Sequence, residues 1–407
     1  MLDCWESLSG GYSHTDGLFL HGNYDPEITR TSHHTAAAST TGLSKRLRGK
    51  RVLVCVGAGG VGKTTTSAAL ALGLAQRGQK VAVVTIDPAR RLASALGLAE
   101  LPSEPQRVEP ALFAEQGVAI EGELWAMMLD AKRTFDDLIT QLSPDARTRE
   151  EILANPVYGE LSTAIAGSHD LSAIAKLYEL HEEHDFDTIV LDTPPSRNTL
   201  DFLDAPGRLL GFLEGRALQV FLGPSGLTAR VFGRGTALVF AIFARVTGVD
   251  MLGELSRFFR SLTGVMDGFG ERTREVAALL RAPQTTFLIV TSPEAEPAQE
   301  ATFLLERLRE KQMSVGELIV NRVHTHGLRG HSVAEVAQLL EPSLGERLAA
   351  RVADNLADFD VLATRDQQTI ARLRDSWGGH QPIVVAHLDE DVQDLLGLAR
   401  IAEQLFD

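Results

Sequence analysis

The stretch GAGGVGKT (57–64) constrains the fold of this 407-residue chain more than any other feature. It follows the apolar run RVLVCV (51–56) and precedes a helix that we predict over 65–77, with Gly78 as its C-cap. A G-x-x-x-x-G-K-T loop between a buried strand and a helix predicts a phosphate-binding loop, because glycine lets backbone N–H groups turn inward around an anion. The positive end of the helix dipole adds to the attraction.

Two side chains of this loop have expected tasks. Lys63 would reach the β- and γ-phosphates of a nucleotide, and the hydroxyl of Thr64 would ligate Mg²⁺. The sequence therefore predicts a nucleotide and Mg²⁺ as cofactors.

Short apolar runs alternate with helical stretches from Lys45 onward. Most of these runs are nearly continuous, as in parallel strands buried on both faces, and the helices between them predict an α/β fold with a doubly wound, mostly parallel sheet of the P-loop NTPase type. No internal repeat is visible, so a tandem duplication is not expected. The predicted strands are 51–56, 80–86, 123–129, 187–192, 285–291, 316–323 and 382–388.

Polar residues lie at or near the ends of three of these strands. Asp87 and Asp192 end two apolar runs, at the edge where open α/β sheets bind ligands. A lone aspartate at such a place is more often a loop cap, but two beside a phosphate-binding loop favour a role in Mg²⁺ binding and chemistry. The GTP-specific N-K-x-D pattern is absent, whereas Asn321 offers an amide that can pair with adenine, which favours ATP.

Composition excludes several classes of function. The net charge of −15 argues against a nucleic-acid binder, since phosphate neutralisation needs clustered Lys and Arg. Cys4 and Cys55 cannot build a disulfide framework or a thiolate metal site, which favours a cytoplasmic protein. Residues 1–44 are polar and without period, and we expect a disordered tail there.

Four stretches together resemble the anion-transporting ATPase family: GAGGVGKTTTSAALALGLA, TIDPARRLASALG, DTPPSRNTLDFLDAP and LIVNRV. That family contains the arsenite-pump ATPase and the ATPase that escorts tail-anchored membrane proteins. The similarity runs from about Lys50 to the C-terminus and is greatest to the actinobacterial branch. It implies hydrolysis of ATP to ADP and phosphate by a homodimer, or by a heterodimer with a related ATPase, in which the two nucleotide loops face each other.

The resemblance also assigns roles to residues by position. Asp87 would position or activate the attacking water, Asp192 would lie near Mg²⁺, and Asn321 would read adenine. Residues 45–407 would form one ATPase domain with a helical insertion at about 130–180 and 203–282. The phosphate and Mg²⁺ contacts would come from Gly57, Gly59, Gly60, Val61, Gly62, Lys63, Thr64 and Thr65.

The loop departs from the family pattern at its second residue. The usual GKGGVGKT loop has a lysine that crosses the dimer to the partner's phosphates, and here Ala58 takes its place. Such a cation can be worth about 10³–10⁵ in rate. Arg197 is the first candidate to replace it, with Arg90 and Arg91 less favoured. We therefore expect slow hydrolysis, or hydrolysis only with a partner subunit.

The kind of molecule that the protein would bind as cargo depends on residues 205–270, which contain eight of the 17 phenylalanines. They form either a groove for a hydrophobic client, with Phe240 and Phe243 on one face, or an ordinary helical core. The apolar run 236–244 is too short for a membrane span of ~20 residues, so we expect at most peripheral membrane association.

Three functions remain open for a chain with these features. The first is a chaperone or targeting factor, and the second is a low-turnover regulatory switch that acts through a partner subunit. The third, a DNA-partitioning ATPase, fits poorly with the acidic balance. Arsenite transport is not expected without a cysteine cluster, and the pair His181 and His184 is more typical of a solvated charged face than of a zinc site.

Overall fold

Buried apolar runs form a sheet of eight strands in the order β3-β4-β2-β5-β1-β6-β7-β8. The computed structural model describes residues 42–86, 91–156, 158, 169–193, 249–388, 392 and 394–406. Neighbouring strands are parallel except β3, which is antiparallel to β4. The strands are β1 (Val52–Val56), β2 (Lys80–Thr85), β3 (Gln106–Arg107), β4 (Glu123–Met128), β5 (Thr188–Asp192), β6 (Thr285–Thr291), β7 (Val315–Val323) and β8 (Ile383–Ala386).

The predicted fold class is confirmed. All seven predicted strands are present, with ends that agree to within two residues. The strand that sequence reasoning missed is β3, whose two residues are exposed and polar and pair with Trp125 and Ala126 of β4. Such a short edge strand has no apolar pattern, because its pairing alone makes it a strand.

Helices cover both faces of the sheet. In β1, Leu53 and Cys55 face one apolar cluster while Val52, Val54 and Val56 face the other, as the two-residue period of a strand requires. The helices are α1 (Leu43–Arg46), α2 (Lys63–Ala75), α3 (Arg91–Ala95), α4 (Pro110–Glu115), α5 (Ala131–Leu142), α6 (Ala146–Leu153), α7 (His169–Glu183), α8 (Val249–Arg281), α9 (Ala295–Glu310), α10 (Val333–Leu344), α11 (Glu346–Ser376) and α12 (Leu395–Phe406).

A third apolar cluster lies among the helices of the predicted insertion. Asp130 and Asp145 cap the starts of α5 and α6 with side-chain hydrogen bonds, which fixes where these helices begin. The buried members of the cluster come from α5, α6, α8 and the segment after α6: Leu138, Ile139, Ile152, Tyr158, Phe258, Val265 and Phe269. Two of the eight phenylalanines of 205–270 are thus core residues, and Phe240 and Phe243 lie outside the described residues.

The described chain begins with a short helix that packs on the body. Leu43, which we assigned to the polar tail, is buried in an apolar cluster, and Arg46 donates to Glu317 at 2.6 Å. Burial raises the pKa of Glu317, although the charge of Arg46 acts in the opposite direction. Among the helices of the described ranges, none is long and apolar enough to span a membrane.

Candidate active site

The glycine-rich loop lies where the sequence placed it, between the end of β1 and the start of α2. The helix begins at Lys63 and ends at Ala75, two residues earlier at each end than predicted. Gly62 is its N-cap in the left-handed region (φ 90°), and a Cβ there would collide with the amide of Asn321. Any other residue at this position would be strained and would displace the Asn321 side chain.

Side chains hold the carbonyl groups of the loop. The ammonium of Lys63 is buried and donates to the carbonyls of Gly57 and Ala58 at 2.9 and 2.8 Å. Asn321 donates from its amide to the Val61 carbonyl at 2.9 Å, and Arg322 donates to the Gly60 carbonyl at 2.8 Å. Four loop carbonyls are thus bound by donors that come from α2 and β7.

The start of α2 supplies the complementary donors. The first N–H groups of a helix have no partner within it, and the N-cap Gly62 has no side chain to accept from them. Together with the helix dipole, these N–H groups make the start of α2 a site for an anion such as a phosphate. Lys63 would have to leave its two carbonyls to reach that anion.

A buried carboxylate lies beside the loop. Asp192 is 1% exposed, and its Oδ2 accepts from the hydroxyls of Thr64 at 2.7 Å and Thr85 at 2.9 Å. Hydroxyl and carboxylate oxygens are the ligands that Mg²⁺ prefers, so these residues fit the predicted metal. Thr64 would ligate Mg²⁺ directly, and Asp192 would bind it through water, as in other phosphate-binding loops.

Strand register brings these groups together. Asp192 pairs with Cys55 at the end of β1 and with Thr85 at the end of β2. Thr193, the residue after β5, donates its hydroxyl to the Cys55 carbonyl of β1 at 2.7 Å. Burial raises the pKa of the Cys55 thiol to about 12, and the charge of Asp192 adds to this, so the thiol is neither a ready metal ligand nor a nucleophile.

Two predicted catalytic residues, Asp87 and Arg197, lie outside the described residues, as does Arg90. The last described residue before Asp87 is Ile86, whose N–H donates to the Asp192 carbonyl at 3.3 Å. The assignments of Asp87 to the attacking water and of Arg197 to the missing cation remain predictions. Arg91 is the first residue of α3 and is exposed.

Ala58 carries no charge at the position where the family has its lysine. Its side chain is 5% exposed and belongs to the apolar cluster that also contains Val61. Its carbonyl accepts from Lys63 of the same chain. A longer side chain at this position would have to leave that cluster or open it.

The histidines of HEEHD have separate surroundings. The Nε2 of His181 lies 3.0 Å from the amide nitrogen of Gln284, which only donates, so the ring accepts there and is neutral. Burial lowers the pKa of His181, as does the charge of Arg51. His184 stacks on Phe186 instead.

Sequence reasoning missed two residues of this site. Thr85 is the last residue of β2, which the sequence predicted to continue to Ile86, and the hydroxyl of Thr85 gave no signal of its own. Arg322 follows Asn321 directly, and the strand period would have placed it on the opposite face. Asn321, predicted to read adenine, is 6% exposed and holds the Val61 carbonyl; its role toward the base remains a prediction.

Comparison with known proteins identifies the family. A family model described as "Anion-transporting ATPase" matches residues 50–331. "ATPase GET3" of Malassezia globosa is 28% identical over 67% of this chain and 72% of its own length. "ATPase ARSA2" of Chlamydomonas reinhardtii is 27% identical over 66% of each chain. "ATPase BagA" of Mycobacterium tuberculosis is 27% identical over 83% of this chain and 85% of its own length.

The family match spans more than half of the chain and includes the loop, Asp192 and Asn321. These residues come together at the carboxyl edge of a parallel sheet, where the start of α2 can bind phosphate. The protein therefore belongs to the anion-transporting ATPase family and is an ATPase.

Proposed function

We propose that the protein is a dimeric ATP-dependent switch in which the nucleotide state controls the binding of a hydrophobic client or membrane-protein segment. The observation that carries this proposal is α8, a continuous helix of 33 residues and ~50 Å. It connects the core of the helical insertion to the nucleotide-binding sheet. A rigid helix that packs at both ends can transmit a movement from one to the other.

The packing of α8 supports this route. Phe258, Val265 and Phe269 lie in the insertion core, whereas Val276 and Leu280 pack in the apolar cluster on the sheet. The chain then enters β6, which pairs with β1, the strand that leads into the glycine-rich loop. A displacement of the loop would therefore be transmitted through β1 to β6, the strand that follows α8.

Helix α7 offers a second route. Ala173 and Leu177 pack on the sheet cluster, and Ala175 packs against the insertion core. The chain then enters β5, which ends at Asp192.

Lys176 of the same helix is buried and binds Glu104 at 3.3 Å. Arg133 of α5 binds the same carboxylate at 3.1 Å, so the segment after α3 is tied to two helices of the insertion.

For the chemistry, we propose roles that are supported by the geometry of Lys63, Thr64 and Asp192 and, for Asp87, by the resemblance to the family. The N–H groups at the start of α2 would hold the phosphates, and Lys63 would turn from its two carbonyls to the β- and γ-phosphates. Mg²⁺, held by Thr64 and by Asp192 through water, would supply charge neutralisation. Asp87 would accept a proton from the attacking water.

A second candidate is a low-turnover regulatory switch that needs a partner subunit. The observation that favours it is the buried, uncharged Ala58 at the position of the family's lysine.

We do not propose arsenite transport, because Cys55 is buried with a raised pKa and Cys4 alone cannot form a cluster. We also propose a cytoplasmic location, because two cysteines build no disulfide framework, and no nucleic-acid partner, because the net charge is −15.

Hydrogen exchange with ADP and with a non-hydrolysable ATP analogue tests the coupling. Exchange over 249–281 should differ between the two states, while α10, which packs on α11 and contributes to neither apolar cluster of the sheet, serves as the reference. Equal protection of α8 in both states would contradict the proposal.

The double substitution of Phe240 and Phe243 by Ser should spare turnover if they line a groove, and should unfold the insertion if they are core.

Turnover separates the two candidates. Steady-state hydrolysis by the isolated protein, measured with and without an apolar client peptide, should respond to the peptide if the protein is a client-binding switch. Turnover that stays near zero with the peptide and rises only when a partner subunit is added would favour the regulatory switch instead.

A further inference from the structure

Two consecutive residues of β7 bind two consecutive carbonyls of the glycine-rich loop. Asn321 donates to Val61, and Arg322 donates to Gly60. In a regular strand, side chains of consecutive residues point to opposite faces and could not reach the same loop. A local feature of β7 must therefore redirect one of them.

That feature is the backbone of Arg322. Its φ is +62°, in the left-handed region that an arginine rarely adopts, and the register between β7 and β8 shifts between Val320 and Val323. The irregularity lets the buried Asn321 and the exposed Arg322 contact neighbouring peptide groups of the loop. Strained backbone that places two side chains on one loop is typical of a functional site.

The loop needs support at this point. Gly59 and Gly60 are exposed, Gly60 has φ +79°, and open space surrounds the position where its Cβ would be. Side-chain packing at Gly60 therefore does not fix the orientation of its carbonyl. A charged donor at 2.8 Å is the contact that orients it.

We propose that Arg322 is a positioning residue that holds the tip of the loop in its phosphate-binding shape. By binding the Gly60 carbonyl on the outer side, it keeps the N–H of the same peptide group, that of Val61, turned toward the phosphates. When Lys63 leaves its own carbonyls for the nucleotide, the contact of Arg322 with Gly60 can persist. The inference rests on the proposed use of this loop to bind ATP.

The test is calorimetric titration of ADP and of a non-hydrolysable ATP analogue into wild type, R322G and R322K. Glycine suits the left-handed backbone, so R322G removes the guanidinium without adding strain. R329G is the matched control, because Arg329 also has a left-handed backbone (φ +48°) and lies in the loop after β7.

We expect R322G to bind both nucleotides about three- to tenfold more weakly, since one charge-assisted hydrogen bond is lost. R322K should recover part of the affinity, and R329G should match wild type. The thermal midpoint of nucleotide-free R322G should not fall, which separates positioning of the loop from a general structural role.

Three outcomes would overturn the inference. Wild-type affinity in R322G would show that the guanidinium does not position the loop. A loss confined to the ATP analogue would mean that Arg322 contacts the third phosphate instead. Failure of wild type to bind either nucleotide would overturn the nucleotide site and the inference together, whereas the first two results leave the site itself intact.

Discussion

The hydroxyl of Thr64 donates to the carboxylate of Asp192 at 2.7 Å, although the two residues are 128 positions apart. One lies in the first turn of the helix after the glycine-rich loop, and the other ends the strand beside β1. A hydroxyl and a buried carboxylate at this distance are arranged for a cation between a phosphate and the sheet.

Replacement of Thr64 by Val should weaken nucleotide binding only when Mg²⁺ is present. We expect about a tenfold loss of ADP affinity or more in Mg²⁺, because a metal ligand is removed, and little change in chelator. Titration under both conditions measures this. Thr66→Val is the control, since the Thr66 hydroxyl is buried on the same helix without a hydrogen-bond partner. An equal loss in chelator would argue against a metal role for Thr64.

Asp87→Asn should keep ATP binding but slow hydrolysis by about 10²–10⁴, the usual contribution of a positioned general base. Lys63→Ala should instead weaken binding itself, because it removes a charged donor to the phosphates. Single-turnover rates and equilibrium titrations separate the two effects. Hydrolysis at the wild-type rate by Asp87→Asn would show that Asp87 has another role.

Arg197→Ala should lower turnover with little change in ATP affinity if Arg197 supplies the cation that Ala58 lacks. Adding Ala58→Lys to that variant should restore part of the rate. The burial of Ala58 adds an expectation: the lysine should also cost about 1–3 kcal/mol of stability, because the apolar cluster must open. Unchanged turnover in Arg197→Ala would leave an activating partner as the better explanation.

Lys176→Met should lower the free energy of unfolding by about 1 kcal/mol or more, because it leaves the largely buried carboxylate of Glu179 without its cation, whereas Glu104 keeps its ion pair with Arg133. Denaturant unfolding measures the change. Lys132→Met is the control, since its pair with Asp136 is exposed and should contribute under about 0.5 kcal/mol. Similar losses in the two variants would mean that Lys176 does not tie the insertion to the segment after α3.

His181 makes stability depend on pH. Its pKa is lowered in the folded state, mainly by burial, so the unfolded chain takes up a proton first as pH falls below about 6.5. The contribution of neutral His181 is present above this pH and is lost as pH falls. Between about pH 7.5 and 5.5, the free energy of unfolding should therefore fall less steeply with falling pH in His181→Gln than in wild type. His184→Gln controls for the loss of a histidine, and a slope equal to wild type in His181→Gln would contradict the assignment.

Local pattern alone was enough for the sheet and the loop. Buried parallel strands are continuous apolar runs, and the loop needs glycines and Lys63 at fixed spacing, so both are visible in a short window of sequence. The strands and the position of Asp192 at a strand end follow from the same pattern. Residues 106–107 show the limit, since their strand exists through pairing with β4 and not through their own side chains.

The tertiary structure decided which distant groups meet. Strand order places Thr85 and Asp192 side by side, and no local window records that β5 lies between β2 and β1. The left-handed backbone of Arg322 breaks the alternation of β7, so periodicity predicts the wrong face for its side chain. Hydrophobic patterning is a local property and can be read from the sequence, whereas hydrogen bonds between residues far apart in the chain depend on topology and register, which only folding sets.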